Sequence, residues 1–219
     1  INKSRMENIF SKLRVNNTFK TTSYNRMNNV NKKLRKHITK FFSKKVLICD
    51  FGVSSGQSTL ELYKDINKKK IKGIYGFDKQ IYLKIFKLNQ FIFLYSLQNE
   101  LLMVEYGKNC LRYRYFYIFK KIEKILLDLF KFFNIEYKKS NVLIPALSKI
   151  DKCKFFEQDI LRIKKKYYNL FDVVRITNLL NVSYFPEIKL KLAINNIKKI
   201  SKENCIILIN RTTKKNINM

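Results

Sequence analysis

The sequence predicts an α/β fold, a doubly wound and mostly parallel sheet with helices on both faces. Three observations predict it. Short runs such as VLICD at 46–50 are wholly apolar up to a terminal acid, which suits central parallel strands buried on both faces. Segments of helical period separate these runs. Residues 46–78 also read in the order strand, Gly-containing turn, helix, strand, which is a βαβ unit.

Taken along the chain, residues 1–27 are basic and polar and are expected to be weakly ordered. Residues 28–43 read as an amphipathic helix, with Val30, Leu34, Ile38, Phe41 and Phe42 on one face. The first strand spans 46–50 and its turn 51–56. A helix follows at 58–66, supplied with apolar contacts by Leu60, Leu62 and Tyr63. The second strand, IKGIYGFD, is expected at 71–78. The next parallel strands are expected at 154–159 (KFFEQD), 171–178 (FDVVRITN) and 205–210 (CIILIN). Between the last two, residues 186–200 read as a helix with Pro186 near its first turn.

The interval 79–152 is too long for an ordinary crossover and is expected to be an insertion into the domain of 28–219. Residues 91–95 and 101–106 flank a polar segment and predict a β-hairpin. Residues 113–133 predict a helix, and 142–144 one more short strand. Basic and aromatic residues interleave from Arg112 to Lys121, a mixture that can bind single-stranded nucleic acid or pack as a lid.

The chain has 219 residues and a formal net charge of +30. Two causes compete. A cationic surface attracts nucleic acid or anionic lipid. A very AT-rich genome also inflates Lys and Asn; here Ala occurs only at 146 and 193, and Trp is absent. The four cysteines form no C-x-x-C pair and the one histidine, His37, has no Cys near it, which argues against a zinc site. Cysteines without a disulfide spacing predict a reducing, cytoplasmic setting. No uninterrupted apolar run of membrane-spanning length occurs.

Only five glycines occur, and Gly52, Gly56, Gly73 and Gly76 all fall in the one βαβ unit. Three chemistries could use the turn Asp50-Phe51-Gly52-Val53-Ser54-Ser55-Gly56. It matches G-x-S-x-G, but the nucleophile of that elbow needs a downstream His, and His37 lies upstream. A dinucleotide turn needs Gly at 52, 54 and 57, whereas 54 is Ser and 57 is Gln. The third chemistry is binding of S-adenosylmethionine.

On these residues the chain resembles the class I, Rossmann-like S-adenosylmethionine-dependent methyltransferases. Asp50, Gly52 and Gly56 match the family's first motif, with Ser54 at its middle glycine. Asp78 matches the acid that holds the ribose hydroxyls, Asp159 the acid near the adenine, and FDVVRITN the fourth strand motif. The resemblance implies a cofactor set of Asp50, Gly52, Val53, Ser54, Gly56, Asp78, Asp159, Ile160 and Asn178. It implies methyl transfer by in-line displacement, and names neither acceptor nor catalytic base. The inserted hairpin is similar to a bacterial-type branch of the family. The family's sheet continues with a sixth and seventh strand. The sequence ends at Met219, so these strands are expected to be missing, by truncation or by loss. Arg175, inside an apolar strand, is expected to pair with an acid at the sheet end. The alternatives are a basic RNA-binding protein on a decayed nucleotide-binding fold and a peripheral membrane protein.

Overall fold

The computed structural model describes residues 14–15, 18–19, 25–107, 109–112, 118–182 and 185–210. The weakly ordered segment expected at 1–27 and the basic-aromatic side chains at 112–121 lie largely outside them. The chain divides into two compact units, one of Ile1–Thr21 with Tyr82–Val142, the other of Thr22–Ile81 with Leu143–Met219.

The first unit contains a short antiparallel pair, β1 (Arg14–Val15) and β2 (Thr18–Phe19). Its main body is a five-stranded antiparallel sheet. The strands are β5 (Tyr82–Leu88), β6 (Phe91–Ser96), β7 (Leu101–Tyr106), β8 (Asn109–Arg112) and β9 (Lys138–Asn141), in the order β8-β7-β6-β5-β9. The helix α3 (Ile118–Phe132) buries Phe130 against Phe86, Phe93 and Tyr95 on one face of this sheet. Leu83, Ile85, Ile92, Leu94 and Met103 form a separate apolar layer. The sequence reading of a hairpin plus a helix is therefore too small. β6 and β7 pair as expected, but three further strands join them. The short strand expected at 142–144 is not one; the edge strand lies just before it, in the polar run KKSN.

The second unit is built on a five-stranded sheet in which every pairing is parallel. Its strands are β3 (Val46–Phe51), β4 (Ile71–Asp78), β10 (Cys153–Glu157), β11 (Phe171–Thr177) and β12 (Ser201–Asn210). Their spatial order is β10-β4-β3-β11-β12. By position along the chain that is 3-2-1-4-5, the doubly wound Rossmann order, which reverses between β3 and β11. β3 is buried at all six positions, as its unbroken apolar run requires.

Helices cover both faces. On one, α1 (Asn28–Phe41) and α2 (Gln57–Asp65) bury Leu34, Ile38, Leu60 and Leu62 with Ile48 and Ile74. On the other, α4 (Glu187–Ile200) buries Ala193, Ile197 and Ile200 with Cys49, Val174 and Ile176. The structure narrows the apolar faces read from sequence. Phe41, expected on the apolar face of α1, is exposed at its end; on α4, Ile188, Leu192 and Ile194 are exposed as well. Asn31 and Asn196 take buried places on those helices instead.

Candidate cofactor site at the carboxyl edge of the parallel sheet

The parallel register brings the sequence-predicted residues to one edge. Phe51, Phe77, Phe156 and Ile176 share a row across β3, β4, β10 and β11. One residue further on stand Gly52, Asp78, Glu157 and Thr177, at the ends of the same four strands. The crevice beyond the carboxyl ends of the strands, at the order reversal, is where open parallel sheets bind ligands.

The turn leaving β3 is held by left-handed backbone at three positions, Gly52 (φ 78°), Ser54 (φ 55°) and Gly56 (φ 81°). Gly52 N–H donates to the Phe77 carbonyl at 2.8 Å, and Gly56 N–H to the Val53 carbonyl at 2.7 Å. A Cβ at 52 would make only ordinary contact with the Thr177 carbonyl oxygen at 3.4 Å, so it is the left-handed backbone, and not lack of space, that favours glycine there. At 56 a Cβ would meet Leu147 Cδ1 at 2.2 Å. Gly56 therefore serves packing: Leu147 belongs to the 3-10 turn Pro145–Lys149, and Ile144 N–H, just before it, donates to the Ser55 carbonyl at 2.9 Å. α2 starts at Gln57 with no side-chain cap, so its first-turn N–H groups point toward the same edge.

Asp78 is half-buried at the end of β4. One carboxylate oxygen accepts the Ser54 N–H at 2.9 Å and the other the Gln80 N–H at 3.2 Å. These bonds tie the β4 acid to the β3 turn. Beside Asp78, Glu157 Oε1 accepts the Ile81 N–H at 3.1 Å. Asp159, one turn on, accepts the Leu161 N–H at 2.9 Å and orders its own loop. Asn178 ends β11 in left-handed backbone (φ 55°), its N–H bonded to the Asn210 carbonyl at 2.9 Å.

The remaining predicted residues support this edge from behind. Val53 is buried and packs beside Gly76. Ile160 is buried in the α4 layer, and the buried Asn196 donates to its carbonyl at 2.9 Å. Asp50 is sealed. Its carboxylate receives Arg175 Nε at 2.8 Å, Arg175 Nη2 at 2.5 Å and the Thr59 hydroxyl at 2.6 Å. Arg175 also donates to Asn31 Oδ1 at 2.8 Å. This cluster ties α1, α2, β3 and β11 together beneath the turn. Burial pushes the neighbouring Cys49 thiol well up, helped by the Asp50 charge.

Sequence reasoning missed Glu157, Asn31 and Thr59. The doublet Glu157–Asp159 was visible in FFEQD, but only the parallel register shows that Glu157 stands beside Asp78. Among the described residues no group of three or more His, Cys, Asp or Glu side chains could hold a metal ion. No described helix is long and apolar enough to cross a membrane.

No known family profile matches the chain, and no curated protein does. Comparison with solved structures gives distant similarities. It is similar to a Methanococcus maripaludis protein assigned to the S-adenosyl-L-methionine-dependent methyltransferases, with 13% identity and a TM-score of 0.42 over 95% of this chain and 61% of that one. It is similar to the CurJ carbon methyltransferase, with 11% identity and a TM-score of 0.44 over 84% of this chain and 35% of that one. It is also similar to a SAM-dependent methyltransferase from Aquifex aeolicus, with 14% identity and a TM-score of 0.37 over 83% of this chain and 70% of that one. The chain thus spans 61% and 35% of the length of the first two.

Proposed function

We propose that the chain is an S-adenosylmethionine-dependent methyltransferase whose cofactor lies across the ends of β3, β4, β10 and β11. One observation carries the reading. In a chain of net charge +30, Asp78, Glu157 and Asp159 gather at the adjoining ends of two strands, beside a turn with no Lys or Arg from 52 to 57. Three carboxylates there disfavour a phosphate ligand. A cationic sulfonium with ribose hydroxyls is matched in charge and in hydrogen bonding.

The donor set fits such a group. Asp78, fixed by the Ser54 and Gln80 N–H groups, is oriented to accept from ribose hydroxyls. Asp159 stands at the base end, with the buried Ile160 supporting its loop from behind. Gly52, Ser54 and Asn178 form the turn side. Asp50, Val53 and Gly56 hold that turn in shape. Bound there, the cofactor would supply an electrophilic methyl group to an acceptor. The protein's contribution is orientation of the two reactants.

Calorimetric titration tests the reading. Saturable binding of S-adenosylmethionine or S-adenosylhomocysteine, with no binding of NAD or ATP, is expected. Binding of a phosphate-bearing nucleotide in preference to S-adenosylmethionine would refute it.

A further inference from the structure

Charge is segregated along the strand axis of the parallel sheet. The carboxyl edge carries Asp78, Glu157 and Asp159, with Lys79 and Arg162 as the basic residues flanking them and no lysine at 52–57 or 178–182. The amino edge is the reverse. Lys44 and Lys45 enter β3, Lys68 and Lys69 enter β4, and Lys198 and Lys199 end α4 where β12 begins. All six are exposed. Codon bias alone would scatter lysine over both edges alike.

Hydrogen bonds also join the loops of this edge. Lys70 Nζ donates to the Phe42 and Ser43 carbonyls at 2.9 and 3.1 Å, which fixes the approach to β4 against the approach to β3. Lys152 Nζ donates to the Lys68 carbonyl at 2.9 Å, and the Asn169 N–H to the Lys199 carbonyl at 2.8 Å. The half-buried Lys70 and Lys152 thus bridge backbone carbonyls beside the exposed lysines. Of the acids of this edge, Asp172 is engaged, accepting from Lys202 at 2.8 Å and from the Leu47 N–H at 2.7 Å, while Asp151 and Glu203 are exposed among the more numerous lysines.

We infer that the amino edge of the parallel sheet is a docking face for the phosphate backbone of a nucleic acid, on the edge opposite the acid-lined crevice. Ammonium groups on several converging loops match a row of phosphates. The exposed Tyr168, with Lys199 Nζ 6.0 Å from its ring centre, adds a surface for a base to stack on. The six lysines sit in turns and at a helix end, without the aliphatic face with which an interfacial helix enters a bilayer. The inference stands apart from the cofactor reading.

The test is fluorescence anisotropy of a labelled single-stranded RNA with the full chain across a salt series, with anionic vesicles run in parallel. A variant with Lys44, Lys45, Lys68, Lys69, Lys198 and Lys199 all changed to Gln is compared with a charge-matched control carrying Gln at Lys84, Lys87, Lys124, Lys131, Lys138 and Lys139. The amino-edge variant is expected to bind at least about tenfold more weakly and with a shallower salt dependence, while the control changes by less than about threefold. Replacement of the same six lysines by Arg is expected to retain binding, and thermal melting reports whether each variant folds. Equal losses in the two Gln variants would overturn the inference. So would loss in the Arg variant while it remains folded, or binding of vesicles without binding of RNA. If the six-residue Gln variant does not fold, the pair Lys68→Gln and Lys69→Gln is compared with Lys138→Gln and Lys139→Gln under the same criterion.

Discussion

Asp50 and Arg175 stand opposite each other in adjacent parallel strands, both almost wholly buried, with two hydrogen bonds between carboxylate and guanidinium. Asn31 and Thr59 complete the cluster, so the turn that leaves β3 rests on a fixed polar floor. Taking away one charge strands the other in the core. Arg175→Met is expected to destabilise the fold by about 3–5 kcal/mol, and the double variant Arg175→Met with Asp50→Leu by less than the single one. Urea unfolding of the single and double variants checks this.

Gly56 carries two constraints, positive φ and contact with Leu147. Gly56→Ala is expected to cost about 2 kcal/mol or more, from left-handed backbone strain and overpacking. Adding Leu147→Ala relieves only the overpacking. A double-mutant cycle is therefore expected to give a coupling energy of about 1 kcal/mol in the sense of rescue. Strictly additive losses would show that Leu147 does not press on the turn.

The buried thiols give a pH dependence. Burial pushes the Cys153 thiol up to about 12, and Cys49 is also raised, again mainly by burial. In the unfolded chain a thiol ionises near pH ~8.5. A raised folded value means the contribution to stability is complete below the unfolded value and is lost as pH rises through the folded one. Stability is therefore expected to fall from about pH 8.5 toward 12, by up to about 1.4 kcal/mol per pH unit for each thiol. Cys153→Ala should show a shallower decline between pH 8 and 10 in denaturant midpoints than the parent.

The parallel unit was legible from its central strands, since β3 is buried at every position and β11 at all but one, and both read as largely apolar runs. Val46–Phe51 and Ile71–Asp78 appear within a residue of their expected ends. The antiparallel unit was only partly legible. β9 is Lys138–Asn141, with no apolar residue at all, and is a strand only because β5 offers its edge for pairing. β8 is four residues long and carries no periodicity. Within the candidate site, acids at strand ends could be read directly. That Arg175 needed an acid was also readable from its apolar surroundings. Which acid it takes depends on strand order, which sets β11 beside β3 and turns Asp50 inward while Asp78 stays at the edge.

Asp78 is therefore the residue on which the cofactor reading turns. The decisive measurement is the affinity for S-adenosylhomocysteine of the parent and of Asp78→Ala and Asp78→Asn, by calorimetry, each variant first shown to be folded by its melting transition. The expected result is saturable binding by the parent and a loss of at least about tenfold, or roughly 1.4 kcal/mol, in both variants. No binding by the parent, or equal binding by the folded Asp78→Ala protein, would contradict it.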